Sequence, residues 1–222
     1  MAASADREDA ARDALARQLR LARQGRSMLY PFIGRSRRFE IWQHYPHNDA
    51  VDETGRWQFY FHAHDRAEKN SARHPQEHGH IHLFRRSPQG LLTHLAGLSL
   101  DARGLPLTWF ATNQWVTGER WQAAESLVRG LSAFELRLRG PLAGAALWLA
   151  DMVRFMPCRC ARCCSSVTQR WRAIACATAS TGSRPGPTAV SPSGVPFPFT
   201  GRRMLCRWLA SHPVPVRKRR PS

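Results

Sequence analysis

The middle of the chain alternates hydrophobic and polar positions with the period of two that is typical of β-strands. Four such stretches, rich in aromatic and branched residues, are each bounded by turn formers. They are RWQFYFHAH, HGHIHLF, LLTHLAGLSL and LPLTWFATN, and they predict strands at residues 57–64, 78–84, 91–100 and 105–112. Asp101 to Gly104 are expected to turn between the last two strands, so one mostly antiparallel sheet follows.

The segment before these strands reads as a helix followed by loops. Apolar residues at helical spacing predict an amphipathic helix over residues 6–24 that ends at Gly25. Residues 26–38 are basic and predict a connecting loop. The stretch HYPHNDAVDETG is dense in turn formers, so we expect a second loop there, in which Asn48 or Gly55 takes a positive φ.

Two helices are predicted after the strands. Thr117 is typical of an N-cap and Glu119 suits the positive first turn, which predicts a helix through RWQAAESLVRGL. A further helix is expected from Pro141 to Phe155, because proline is tolerated in a first turn. An N-terminal helix, a small antiparallel sheet of about four strands and two C-terminal helices together predict an α+β fold.

Composition divides the chain at Pro157. The totals are 33 Lys+Arg and 16 Asp+Glu, yet every acidic residue lies before the division and none lies after it. Nine of the ten histidines also lie before it. All six cysteines follow it, at Cys158, Cys160, Cys163, Cys164, Cys176 and Cys206. We therefore predict one domain over residues 1–157 and an irregular, disordered basic tail over residues 158–222.

Two interpretations of the tail stay open. The Cys-x-Cys-x-x-Cys-Cys run contains zinc ligands, but a structural zinc site usually needs a second, separated pair. Alternatively, when the tail is back-translated and read one base earlier, it becomes an amphipathic helix that contains acidic residues. This second interpretation is a frameshift near Met156, and it is the one we favour.

Several classes of protein are disfavoured. The N-terminus has no apolar core of a secretory signal, and no apolar run approaches the roughly 20 residues that span a bilayer. The front domain contains no cysteine and needs no oxidising compartment, so a cytoplasmic location is expected. We expect no membrane partner and no specific nucleic acid, since a basic tail attracts polyanions without specificity.

The histidines of the first two predicted strands are the strongest chemical signal. Alternation places His62 and His64 on one face of their strand, and His78, His80 and His82 on one face of theirs. If these strands pair in register, several imidazoles converge and could bind a divalent transition metal such as zinc, iron, nickel or manganese. In a competing interpretation the same histidines are structural strand residues that hydrogen-bond one another.

Other polar residues near these strands are candidate partners of this site. Glu77 is a candidate for a fifth ligand or a base, but it would face away from His78 and His80 if the strand included it. His44 and Asp49 in the loop before the first strand are candidate substrate contacts, as are Asn113 and Glu119 at the strand-to-helix junction. Turn formation and helix capping explain several residues in these segments equally well.

The segments HYPHNDAVD, GRWQFYFHAHD, EHGHIHLF and HLAGLSLDARGLPLTWFATNQWVTGERW together resemble an uncharacterised bacterial family, a domain of unknown function. The similarity covers roughly residues 40–125, and the chain departs from the family pattern at Asn48, Ala50, Phe59 and Phe61. The resemblance implies a bacterial cytoplasmic protein and no particular activity. It also implies relatives that continue past Val153 with acidic helical sequence.

Two function classes follow for the front domain. One is a histidine-cluster metal-binding domain with a small-molecule or hydrolytic role, in which a metal-bound water is the reagent. The other is a non-catalytic protein-binding module with structural histidines. The sequence leaves both open, and with them the question whether the protein is an enzyme.

Overall fold

The computed structural model describes residues 2–34, 36, 38–65, 74–111, 122–155 and 195–196. Its helices are α1 (Ala2–Arg23), α2 (Tyr30–Ile33), α3 (Ala124–Ser132) and α4 (Ala143–Phe155), with a 3-10 turn at Gly140–Leu142 before α4. Its strands are β1 (Tyr45–Val51), β2 (Trp57–His62), β3 (Gly79–Arg86), β4 (Leu92–Leu100), β5 (Pro106–Ala111) and β6 (Val195–Pro196). The predicted α+β class is confirmed.

The strands form one antiparallel sheet in which each pairs with its neighbours in chain order. The four predicted strands correspond to β2 through β5. Gly104 turns the chain between β4 and β5 at a φ of 74°, and its N–H donates to the carbonyl of Asp101, as the predicted hairpin requires. The tail predicted over residues 158–222 lies outside the described residues apart from the short β6.

Helices α1, α3 and α4 follow the predicted order, but α2 lies within residues 26–38, so the prediction of a loop there was wrong for these four residues. Helix α1 ends before Gly25, which has a φ of 68°, and α4 follows a 3-10 turn that contains Pro141. Helix α3 is described only from Ala124, with Ala123 as its N-cap. The predicted cap at Thr117 lies outside the described residues.

The loop predicted in HYPHNDAVDETG is largely a strand, so that prediction was wrong. Strand β1 lies at the edge of the sheet, where proline and local irregularity are tolerated. It can therefore pair with β2 despite its turn formers, through a register shift between Tyr45 and Ala50. The positive φ within this strand belongs to Asp49, at 52°, and not to Asn48; Gly55 takes the predicted positive φ of 67° in the following turn.

One face of the sheet forms the hydrophobic core with the helices. Alternate residues of β2, including Phe59 and Phe61, are fully buried there, and Phe32 of α2 packs against both rings at 6.0 Å. Trp148 of α4 is also fully buried in this core. Since strand residues alternate between faces, the residues between these positions must lie on the opposite face.

Helices α1 and α4 are joined by a part-buried ion pair. Arg17 Nε lies 3.0 Å from the carboxylate of Asp151, whose side chain is only 1% exposed. None of the helices in the described residues combines the length and the hydrophobicity that a membrane span requires.

Candidate metal centre

The sheet face opposite the helices carries a row of histidines. His62, His80, His82 and His94 are all buried, and with the half-buried His64 they form what we call the histidine cluster. Antiparallel register explains the contact between strands, because His62 of β2 pairs directly with His80 of β3. The predicted convergence of the two histidine segments on one face is therefore confirmed for this pair.

The two paired histidines meet through their ring nitrogens. His62 Nε2 lies 2.7 Å from His80 Nε2, and the ring centroids are 4.6 Å apart. Two nitrogens bonded to one metal ion at about 2.05 Å lie roughly 2.9–3.3 Å apart, depending on the angle between the bonds. A small separation of these rings would therefore bring the pair to coordination geometry.

His64 brings a third imidazole to the same point. Its ring is 4.8 Å from that of His62 and 5.0 Å from that of His80. One nitrogen from each of these residues lies within 4.8 Å of the other two. We call His62, His64 and His80 the histidine triad; a ring shift of about 1–2 Å would suffice for all three to reach one ion.

Glu77 contacts the triad, and the condition under which it was expected to face away is not met. Strand β3 begins only at Gly79, so alternation does not fix the direction of Glu77. Its Oε1 accepts a hydrogen bond from His80 Nδ1 at 2.7 Å, and both side chains are 6% exposed. Ser99 on β4 donates its hydroxyl to the other carboxylate oxygen. A carboxylate on the far nitrogen of a histidine directs the remaining nitrogen toward a metal.

His82 and His94 form a second pair beside the triad. His82 Nδ1 lies 2.9 Å from His94 Nε2, and the two rings are 5.0 Å apart. Burial lowers the pKa of His94 to about 3, with a smaller contribution from His80. The pKa of His82 is also held well below its usual value, mainly by burial and to a smaller extent by the neighbouring histidines. Both rings are therefore neutral near pH 7.

The family described as Domain of unknown function (DUF6969) matches residues 8–181. The chain belongs to the DUF6969 family. The resemblance to an uncharacterised family is thereby confirmed, over a longer range than residues 40–125. No curated protein and no solved structure matches the chain.

In this DUF6969 chain the five histidines predicted as metal ligands occupy three environments. His62, His64 and His80 form the triad. His82 lies beside it, 4.7 Å from the ring of His80, but one of its nitrogens is bonded to His94. His78 precedes β3 and stacks on Phe39 at 5.6 Å, so it does not join the triad nitrogens.

The candidate substrate contacts His44 and Asp49 form a hydrogen-bonded pair next to the triad. His44 Nδ1 lies 2.8 Å from Asp49 Oδ1, and the His44 ring stacks on Tyr60 at 3.6 Å. The His44 ring is also 5.7 Å from that of His62. The other two candidates, Asn113 and Glu119, lie outside the described residues.

Two participants in the site were not identified from the sequence. His94 lies opposite Phe84 because of a register shift in the β3–β4 pairing, which periodicity cannot reveal. Trp42 contacts the edge of the His64 ring, with centroids 4.0 Å apart, and has a φ of 65°. Its N–H donates to the carbonyl of Ala63 at 2.8 Å. A positive φ is rare for a bulky residue, but no sequence pattern predicts it.

Proposed function

We propose that this domain binds one divalent transition metal through His62, His64 and His80 and uses a metal-bound water in a hydrolytic or related reaction on a small molecule. The observation that carries the proposal is the triad itself, whose three nitrogens lie within 4.8 Å of one another where β2 ends beside β3. Three histidines with an open position form a common catalytic donor set. Imidazole suits zinc, iron and nickel, and manganese is a further candidate.

The surroundings of the triad support this assignment. Glu77 accepts from His80 Nδ1, which leaves His80 Nε2 to face His62. A histidine oriented by a carboxylate in this way is a better metal ligand than an isolated one. The neutral His82 and His94 add no positive charge beside the ion.

The chemistry follows from the donor set. A divalent metal held by His62, His64 and His80 would act as a Lewis acid and would supply a nucleophile near neutral pH. His44 and Asp49 lie next to the triad and are proposed to contact substrate, together with Asn113 and Glu119. The cytoplasm and a bacterial host remain the expected setting.

Metal analysis of the full chain tests the proposal. The six cysteines would also bind metals, so each is first changed to serine in the full-length protein. The chelator-stripped protein is then titrated with zinc and with cobalt and analysed for bound metal. We expect one equivalent per chain, and a loss of at least 100-fold in affinity for His62→Ala and for His80→Ala.

The matched control is His47→Ala, because His47 is exposed and lies outside the histidine cluster. This variant should bind metal like the parent. Circular dichroism of the metal-free proteins separates lost coordination from lost folding. Absence of stoichiometric binding in a folded parent protein would refute the metal assignment.

A protein-binding module with structural histidines is the second candidate. It is favoured by the hydrogen bonds within the cluster, since the His62–His80 and His82–His94 pairs satisfy one another without an ion. In that case His80→Gln, which can still accept or donate a hydrogen bond, would leave partner binding intact. A folded parent protein that binds none of the added metal would support this second candidate.

A further inference from the structure

A cavity of about 720 Å³ lies beside the edge strand β1, between it, helix α2 and the 3-10 turn. Its lining includes none of the three triad histidines, although His44 lies between the cavity and the triad. We propose that this cavity binds a small organic anion with an apolar body, such as an aryl or alkyl monocarboxylate. This inference goes beyond the proposed metal chemistry and does not depend on it.

The interior of the cavity suits an apolar ligand. Its wall is formed by the rings of Phe32 and Tyr45 and by Ala50, which are buried, together with Pro141 and Leu142. The volume falls within the roughly 300–1,000 Å³ that is usual for small-molecule sites. Most of the free energy of binding would come from transferring the body of the ligand out of water.

Two arginines of the lining offer hydrogen-bond donors to a negative charge, and they do so in a cavity that the carboxylates of Glu40 and Asp49 line as well. Arg38 and Arg139 both line the cavity and have largely exposed side chains. Arg139 uses its Nε to reach Glu53 at 2.7 Å, and Arg38 uses its Nε to reach Glu40 at 3.7 Å. A guanidinium has five N–H donors, so the terminal nitrogens of each can still bind a carboxylate.

Both carboxylate oxygens of Asp49 are engaged by side chains of the protein, so neither is a free acceptor in the cavity. Its Oδ1 lies 2.8 Å from His44 Nδ1, and its Oδ2 accepts from Gln58 Nε2 at 2.6 Å. Arg86 donates to the side-chain oxygen of Gln58 and completes a chain of four residues. Asp49 is held at a φ of 52°, so this wall is fixed before a ligand binds.

Calorimetric titration with matched probes tests the proposal. The full-length protein carries the six cysteine-to-serine changes and is kept in chelator, because a carboxylate could otherwise bind the metal. The probes are 4-phenylbutyrate and 4-phenylbutan-1-ol, which differ in charge but share an apolar body. We expect the carboxylate to bind at least ten times more tightly at low salt, and the ratio to fall as salt is added.

Variants locate the binding. Arg38→Gln combined with Arg139→Gln should reduce the preference for the carboxylate at least fivefold, whereas exposed Arg103→Gln should leave it unchanged. Val51→Trp, at a residue that is 37% exposed, should fill the cavity and weaken both probes. Equal affinity for the two probes, or no binding of either at millimolar concentration, overturns the proposal. Since metal is absent throughout, either result leaves the triad proposal unaffected.

Discussion

Glu77→Gln is the variant that most directly tests how the triad is organised. The substitution keeps the size of the side chain and removes the charge that accepts from His80 Nδ1. Both partners are 6% exposed and the contact is 2.7 Å, so water and salt screen the interaction little. If the protein binds metal through His80, the carboxylate stabilises the ligand form of this ring, and its loss should weaken the metal complex.

The expected magnitude follows from the general effect of such outer partners. Removing one typically weakens metal binding by about 10- to 100-fold. This corresponds to roughly 1.4–2.7 kcal/mol in the free energy of binding. Ser99→Ala, which removes the hydroxyl that donates to the second oxygen of Glu77, should have a smaller effect because the carboxylate remains.

The assay is competition between the metal-free, cysteine-free protein and a chromogenic zinc chelator. Glu53→Gln serves as the control, since this carboxylate pairs with Arg139 at the surface and is 42% exposed. Its affinity for zinc should equal that of the parent. If Glu77→Gln binds zinc within twofold of the parent while folding normally, the carboxylate does not orient a ligand and the reasoning about His80 fails.

Three further predictions concern stability. Gly104→Ala should lower the free energy of unfolding in urea by at least about 1 kcal/mol more than Gly55→Ala does. Both glycines have a positive φ, but a Cβ at Gly104 would lie 2.8–2.9 Å from backbone nitrogens, whereas a Cβ at Gly55 would have no atom within 4 Å. Equal losses of stability would contradict this reasoning. Arg17→Met should cost about 1–3 kcal/mol by removing a partner of the buried Asp151 carboxylate, and a neutral effect would show the pair is dispensable. The folded-state pKa of His94 lies near 3, below its unfolded value near 6.5, so the unfolded state binds the extra proton and stability falls as pH drops from about 6.5 toward 3. His94→Gln should reduce that slope by up to about 1.4 kcal/mol per pH unit in metal-free protein, and an unchanged slope would contradict the assignment.

The sequence by itself determined most of the elements, though not α2 or β1, and the faces of the central strands. Alternation of apolar and polar residues in WQFYFH and HIHLF places one set of side chains toward the helices and the histidines on the opposite face, whatever the rest of the chain does. The helix stop at Gly25, the turn before Gly104 and the start of α4 near Pro141 were equally local, because each depends on the backbone preferences of one or two residues.

Register and irregular backbone were decided only by the tertiary structure. Whether His62 lies opposite His80 depends on how two strands align, and a shift of one residue would have placed the two on opposite faces. The register shift between β3 and β4 places His94 next to His82. A second register shift, between β1 and β2, lies in the segment whose turn formers had predicted a loop.

Glu77 shows most clearly what the sequence determined and what depended on the tertiary structure. Its place beside the second predicted strand is plain in the sequence, but alternation applies only within a strand, and β3 begins at Gly79, so Glu77 lies outside it. Packing of the preceding segment against β4 brings its carboxylate between His80 and Ser99. The local sequence therefore determines which residues are candidates for a metal centre. Strand pairing determines which of them come into contact, because it depends on residues that are far apart in the chain.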